Sequence, residues 1–193
     1  MDLLPLVFSG GWVSGVNAYL TLLVLGIVDR VSDVSEVPDV LGRTDVLLLV
    51  GLLCAVEFVA DKVPFVDSTW DAISTVVRPT VGTVLALMVS GDATSVQQAA
   101  YAVLGGGTAL ASHAVKAGGR LAINTSPEPF SNVVASLAED ATVVGVILLA
   151  IQHPWLAASI CAVLLVAGLV LLRVLLRVVR RGWARWKGRP APA

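Results

Sequence analysis

The chain has few charged residues for its length. They make up 14% of its 193 residues, whereas hydrophobic residues make up 56%. An average soluble domain has about a quarter of its residues charged. This composition excludes an ordinary soluble domain and predicts an all-α integral membrane protein. The length suffices for roughly six spans of about 20 residues and leaves no room for a separate soluble domain.

Residues that build common catalytic and metal sites are also scarce. The two cysteines, Cys54 and Cys161, lie within apolar runs, where we interpret them as small buried hydrophobic residues. His113 and His153 are too few and too far apart to form a zinc site. The sequence has no phosphate loop, no HExxH motif and no nucleophile constellation. We therefore name no catalytic residue and expect no cofactor.

Six apolar runs of span length follow one another along the chain. They cover about residues 11–28, 46–63, 71–90, 97–117, 131–151 and 155–176. The N-terminal end carries Asp2, no Lys or Arg and no small-residue cleavage site, so we expect a retained first span and not a signal peptide. These runs predict a transmembrane domain over residues 1–179 and a basic tail over 180–193. Four spans with two re-entrant segments are the alternative.

Basic residues predict the orientation, because cytoplasmic loops carry the excess of Lys and Arg. Six spans put the N-terminus, the 62–70 turn, the 116–130 connection and the tail on one side. That side holds Lys62, Lys116, Arg120, Arg173, Arg177, Arg180, Arg181, Arg185, Lys187 and Arg189. Both termini are therefore expected to be cytoplasmic, and the tail is expected to bind anionic lipids. A net charge of only -1 gives no argument for nucleic acid.

Two hairpins, residues 46–90 and 97–151, resemble each other in pattern. Each has an apolar helix that gains charge toward its end, a turn with proline, an aromatic residue, and a charge eight or nine residues later. The aromatic residue and the charge are Trp70 and Arg78 in the first hairpin, and Phe130 and Glu139 in the second. This pattern predicts two similar three-helix halves with Pro-broken cytoplasmic turns, related by an axis along the membrane normal. The five tryptophans, which prefer the membrane surface, all fall at predicted span ends: Trp12, Trp70, Trp155, Trp183 and Trp186.

Ionisable residues in these hairpins form the candidate site, because charge at membrane depth costs several kcal/mol unless it is paired or has a function. Helical spacing aligns them on shared faces and brings Arg78 and Glu139 to equal depth. The candidate substrate or ion site comprises Glu57, Asp61, Lys62, Asp67, Asp71, Arg78, Lys116, Arg120, Asn124, Ser126, Glu128, Asn132, Glu139 and Asp140.

Two interpretations of these charges are open. In one, Arg78 pairs with Glu139, Asp140 or Glu57 in a buried network that only fixes helix register. In the other, the carboxylates line a water-filled vestibule open to the cytoplasm, which takes protons, a cation or a polar head group. Asp67, Asp71 and Glu139 are an alternative Mg²⁺ or Ca²⁺ site.

The turn between residues 124 and 132 contains Pro127 and Pro129, which prevent a continuous helix. It is either a simple turn, with Thr125 or Ser126 as the helix cap and Glu128 near the helix N-terminus, or a broken-helix binding element. Small residues elsewhere predict close helix packing. The packing residues are Gly11, Gly15, Asn17, Gly105, Gly106 and Gly107.

Three segments carry a resemblance to a known family. They are residues 14–23, residues 57–79, and the string Asn-Thr-Ser-Pro-Glu-Pro-Phe-Ser-Asn at 124–132 with its continuation to Asp140. Over roughly residues 9–175 the chain resembles a bacterial membrane family catalogued as domain of unknown function 4126. The resemblance implies the bacterial inner membrane and no chemistry.

The sequence therefore predicts a small bacterial transporter or permeation protein. In this hypothesis Glu57, Asp61, Glu139 and Asp140 bind protons or a cation, and Arg78 is their counter-charge or contacts an anionic group. We expect a homo-oligomer, because six short helices offer little interior for so many charges. A lipid-head-group enzyme that uses a divalent metal and a non-catalytic structural or partner-binding module are the alternatives.

Overall fold

The computed structural model describes residues 3–32, 34–63, 66–124 and 129–186, and across these residues it contains no β-strand. The helices are α1 (Leu3–Val16), α2 (Ala18–Ser32), α3 (Thr44–Ala60), α4 (Val66–Val89), α5 (Ser95–Ile123), α6 (Pro129–Gln152) and α7 (Pro154–Trp186). A short 3₁₀ helix, Asp39–Gly42, precedes α3. The all-α prediction is confirmed.

Three helical segments are long and apolar enough to cross a bilayer. They are Val66–Val89, Phe130–Gln152 and Pro154–Arg181, and the shorter Leu3–Val16 is also apolar. An apolar helix of about 20 residues matches the thickness of the hydrocarbon core. The composition and these helices together indicate a membrane protein.

The predicted first span is two helices that meet at Asn17. Leu6 of α1 and Leu25 of α2 line one small apolar cavity of about 70 Å³, together with Val89 and Ile151 at the ends of α4 and α6. Helices α1 and α2 therefore run in opposite directions and form a hairpin with Asn17 at its tip. The prediction of a continuous helix over 11–28 is wrong, because Asn17 Oδ1 accepts the Leu20 amide at 2.9 Å and caps a new helix.

Helices α6 and α7 form a second hairpin that turns at His153. Pro154 lacks an amide hydrogen and starts α7, where a helix needs no internal partner for that position. Ala138 of α6 and Leu165 of α7 line the same cavity, so the two helices run in opposite directions. The tip at His153 and the tip at Asn17 point toward opposite ends of the molecule.

The contacts of α7 place its end far from the start of the chain. Leu172 packs against Gly118 near the end of α5, and α7 continues for 14 residues beyond this contact. The start of α1 lies beside Val89, at the other end of the helices. The start of α1 and the end of α7 therefore lie at opposite ends of the helices. Because α7 runs through Trp186 without a break, residues 180–186 of the predicted tail belong to this helix.

Small residues let α1, α4 and α5 approach closely. A Cβ built on Gly105 of α5 would lie 2.5 Å from the Gly82 carbonyl oxygen of α4, and one on Gly11 of α1 would lie 2.5 Å from the Gly105 carbonyl oxygen. Gly15 faces Ala109 and Ser112 in the same way. No larger residue fits these positions at the present helix spacing.

The other predicted packing glycines differ from each other. A Cβ on Gly106 would meet the Thr83 side chain of α4. One on Gly107 would meet no described atom within 4 Å, so Gly107 has open space around it among the described residues. Gly107 follows Gly105 by two residues, which is a rotation of about 200° around the axis of α5. It therefore faces away from α4.

Trp12 also departs from its predicted place. It is buried in a core with Val13, Val143, Ile147 and Cys161, inside α1 and not at a helix end. The reason is the hairpin, because α1 carries Trp12 toward the middle of the helices.

Gly105→Ala and Gly107→Ala form a matched pair that tests this packing. We expect Gly105→Ala to destabilise the protein by about 1 to 3 kcal/mol through overpacking, and Gly107→Ala to be neutral or stabilising, since alanine favours helix. Thermal unfolding of the purified protein in detergent measures both. Equal melting temperatures for the two variants would contradict the close α4–α5 contact.

Candidate functional site

Charged side chains from α3, α4, α5 and α6 meet around the tip of the α1–α2 hairpin. We call this group the ion network. Its charged members are Glu57, Asp61, Lys62, Asp67, Asp71, Arg78, Lys116, Arg120, Glu139 and Asp140. The structure thus gathers every described charged residue that the sequence singled out.

Arg78 forms the deepest part of the ion network. It is 0% exposed, and its Nη2 donates to Glu57 Oε1 at 2.6 Å. Its Nη1 lies 3.2 Å from Asp71 Oδ1 and 2.8 Å from His113 Nδ1. Because the guanidinium can only donate, His113 Nδ1 accepts and the ring proton lies on Nε2, 3.0 Å from Thr75 Oγ1.

Lys116 and Arg120 form the next part, nearer the α5–α6 turn. Lys116 Nζ donates to Asp61 Oδ2 at 2.7 Å and lies 3.4 Å from Glu139 Oε2. Arg120 donates to Glu139 Oε2 at 2.6 Å and to the Asp61 carbonyl at 2.7 Å. Each of these two bases therefore joins α5 to both α3 and α6.

The tip of the α1–α2 hairpin ends inside the ion network. Lys116 Nζ donates to the Val16 carbonyl at 3.0 Å, and Arg78 Nη1 to the Gly15 carbonyl at 3.4 Å. These carbonyls belong to the last turn of α1, where the helix dipole favours positive charge. Asn17 Nδ2 donates to Asp140 Oδ1 at 3.0 Å, beside the start of α2.

Sequence analysis assigned Asn17 to helix packing and did not predict that it ends α1 and caps α2. One signal in the sequence was Asn17 itself, because asparagine is a preferred N-cap residue and stands here inside an apolar run. An N-cap side chain accepts the amide three residues later, which here is the amide of Leu20. Asn17 thus ends one helix, begins the next and contacts an acidic residue.

Polar side chains at the end of the ion network join α4, α5 and α6. Asn124 Nδ2 donates to both Asp67 oxygens at 3.0 Å, and Asn132 Nδ2 donates to Asn124 Oδ1 at 2.8 Å. Lys62 Nζ donates to Ser136 Oγ at 3.3 Å. The predicted site residues Ser126 and Glu128 lie outside the described residues, as do Thr125, Pro127 and the tail residues Lys187 and Arg189.

Arg78 pairs with Glu57, as one sequence alternative allowed, and not with Glu139. Glu139 instead pairs with Arg120. The reason is their position along α5: Arg78 lies level with His113 and Glu139 with Arg120, seven residues apart, which is about 10 Å along a helix. Equal depth within α4 and α6 therefore did not make Arg78 and Glu139 neighbours.

The alternative metal site is not assembled. Asp67 accepts from Asn124, Asp71 faces Arg78, and Glu139 accepts from Arg120. Within the described ranges, no three metal-ligating side chains converge. These three carboxylates serve separate partners.

The charges of the ion network do not balance. Its described members include six acids and four bases, and several buried acid oxygens have no hydrogen-bond partner among the described residues. These oxygens are Glu57 Oε2, Asp61 Oδ1 and both oxygens of Asp71, of which Oδ1 still lies within ion-pair distance of Arg78 Nη1, at 3.2 Å. A buried carboxylate without full compensation is costly, so such a group favours an added proton or cation.

A cavity of about 290 Å³ reaches one side of the ion network. Lys116 and Glu139 lie at its wall, whereas Arg78 and Glu57 do not line it. Its wall consists of Trp12, Val16, Ser112, Val115, Lys116, Ala138, Glu139, Thr142, Leu164 and Leu165. The network is therefore buried around Arg78 and accessible at Glu139.

Comparison with protein families matches residues 4–174 to the family described as Domain of unknown function (DUF4126). The chain belongs to this family. The match spans the α1–α2 hairpin and every charged member of the ion network, so these features lie within the DUF4126 region. No curated protein and no solved structure matches the chain.

Arg78→Ala tests whether the buried pairs hold the DUF4126 fold together. Removing one partner of a buried ion pair leaves an uncompensated charge, so we expect a loss of about 3 to 5 kcal/mol. Thermal unfolding in detergent, followed by size-exclusion chromatography, measures it.

Arg43→Ala is the matched control. Arg43 and Asp45 form an ion pair 2.8 Å long with side chains 63% and 66% exposed. Exposed ion pairs add little stability. We expect this variant to melt like the wild type. An Arg78→Ala protein that does so too would show that the buried pairs are dispensable.

Proposed function

We propose that this protein is a small membrane transporter or permeation protein whose ion network binds a proton or a cation. The observation that carries the proposal is the α1–α2 hairpin, whose tip ends among buried ionic side chains. Membrane proteins tolerate broken helices where the free backbone groups are buried in protein or line a polar cavity. Transporters commonly build substrate and ion sites from such half-helices.

The excess of acidic residues in the ion network supports a cationic substrate or a proton. Acids outnumber bases in the described ion network, and oxygens of Glu57, Asp61 and Asp71 lack hydrogen-bond partners there. The bases Arg78, Lys116 and Arg120 are all engaged by carboxylates. An anionic head group would have to compete with these carboxylates for donors, and so it fits less well.

The contacts support a topology different from six spans. We propose that α3 to α7 cross the membrane and that α1–α2 is a re-entrant hairpin entering from the side opposite the ion network. The network end carries Lys62, Lys116, Arg120 and the basic end of α7, so the positive-inside rule puts this end in the cytoplasm. In this proposal the C-terminus is cytoplasmic and the N-terminus is not.

Three further parts of the proposal concern the membrane, its lipids and the oligomeric state. The bacterial inner membrane follows from the family resemblance. Exposed Arg173, Arg177, Arg180 and Arg181 on α7 support binding to anionic lipids. A single chain buries Arg78 and Arg120, so the sequence-based reason for a homo-oligomer no longer applies, and oligomerisation stays a prediction.

Cysteine labelling tests this topology. In a variant with Cys54 and Cys161 replaced by alanine, we introduce Leu4→Cys, Asp92→Cys or Arg181→Cys. A membrane-impermeant maleimide applied to intact cells should label Leu4→Cys and Asp92→Cys and should spare Arg181→Cys. If Leu4→Cys is spared together with Arg181→Cys, the N-terminus is cytoplasmic and the re-entrant arrangement is wrong.

Flux through proteoliposomes tests the function. With a pH-sensitive dye inside and an imposed potential, the wild type should move protons faster than empty liposomes. Parallel runs in Na⁺, K⁺ and choline media show whether a metal cation replaces the proton. Glu139→Gln should reduce the rate by about tenfold or more, because a hydrogen bond to a charged group is worth about 1.5 to 3 kcal/mol.

Asp92→Asn is the control for this change, since Asp92 is exposed in the α4–α5 loop, away from the ion network. Its flux should equal that of the wild type. A wild-type rate no higher than that of empty liposomes in every medium would reject transport and favour the structural module, which the burial of Arg78 also fits.

A further inference from the structure

The 290 Å³ cavity is bordered by exposed side chains of α6 and α7. Ala138 of α6 and Leu164 of α7 lie on its wall and are exposed, Leu164 by 40%. Leu164 lies within an apolar segment of α7 that is long enough to span the membrane. A molecule in the bilayer can therefore reach this cavity from the side.

The wall of the cavity is mostly apolar. Trp12 and Val16 of α1, Val115 of α5 and Leu165 of α7 surround it. Its volume is near the lower end of ligand pockets, which measure about 300 to 1,000 Å³. These walls suit a short hydrocarbon or aromatic group.

The polar groups at the wall offer acceptors and few donors. Lys116 Nζ is already committed to Val16, Asp61 and Glu139. The hydroxyl groups of Ser112 and Thr142 donate to backbone carbonyls of their own or a neighbouring helix. Glu139 is a carboxylate with a side chain 23% exposed. Arg120 donates to both of its oxygens, at 3.3 Å and 2.6 Å, and a carboxylate has further lone pairs that a ligand can use.

The charge of the surroundings selects the ligand further. The cavity adjoins an ion network with an excess of acids, so a positive ligand improves the balance and a negative one worsens it. A ligand with a positively charged hydrogen-bond donor fits the acceptor sites of Glu139 and offsets the excess of acids in the ion network.

We propose that the lateral cavity binds a hydrophobic ammonium compound, with its ammonium group on Glu139 and its hydrocarbon between Trp12 and Leu165. The compound enters from the bilayer between α6 and α7. This inference names a substrate class for the proposed transporter and rests on that function.

Three probes with six carbon atoms each test the proposal: hexylammonium, hexanol and hexanoate. Isothermal titration of the full chain in lipid nanodiscs, corrected with empty nanodiscs, measures their binding. Hexylammonium should bind at least about tenfold more tightly than the other two, a difference of about 1.4 kcal/mol. Glu139→Gln should remove this preference, and Asp92→Asn should keep it.

Leu164→Trp provides a second variant that leaves the ion pairs intact. The larger side chain fills the cavity from its exposed edge, so it should abolish hexylammonium binding without changing the melting temperature. Equal binding of the three probes, or unchanged hexylammonium binding in Leu164→Trp, would overturn the inference.

Binding and transport are measured separately, so the two proposals fail separately. Proton or cation flux without hexylammonium binding keeps the transporter and rejects this ligand class. Hexylammonium binding that depends on Glu139, without flux in any medium, keeps the site and rejects transport.

Discussion

Burial of ionic groups in an apolar chain is the constraint on which the other features of this protein depend. Arg78 of α4 reaches Glu57 of α3, Lys116 of α5 reaches Asp61 just after α3, and Arg120 reaches Glu139 of α6. Each of these pairs joins two parts of the chain, whereas the contact between Arg78 and Asp71 lies within α4. Most of the buried charges therefore depend on a neighbouring helix, and a buried unpaired charge is prohibitive at membrane depth. The helices must assemble together and in one register.

The α1–α2 hairpin completes this assembly with backbone groups. Its carbonyls at Gly15 and Val16 accept from Arg78 and Lys116. This contact requires α1 to lie close to α4 and α5, which Gly11, Gly15 and Gly105 allow. The ion network therefore depends on the small-residue face, because the glycines set the distance between helices that the ionic contacts need.

The sequence predicted well which charged residues lie near one another. It predicted less well which of them form ion pairs. Helical spacing put Lys116 and Arg120 on one face and Glu57 and Asp61 on another, and both faces enter the ion network. Which residues pair depends on the relative position of two helices along their axes, and residue spacing within one helix gives no information on this. For this reason Arg78 was expected at the depth of Glu139. The break at Asn17 was missed because α1 and α2 are both apolar, and a single capping residue hardly changes the hydropathy of a window of about 20 residues.

The cavity and the ion network share Lys116 and Glu139, and this sharing gives a ligand a route to the hairpin. Lys116 Nζ contacts Glu139 at 3.4 Å, Asp61 at 2.7 Å and the Val16 carbonyl at 3.0 Å. In the proposed binding mode, an ammonium group on Glu139 shares this carboxylate with Lys116 and Arg120, so the ligand is linked through Lys116 to the hairpin tip. If the tip position then changes the affinity for the ligand, the ligand changes the equilibrium of the tip by the same factor. A carboxylate at a cavity wall, next to the hairpin tip, is what distinguishes the proposed site from an ion network that only fixes helix register.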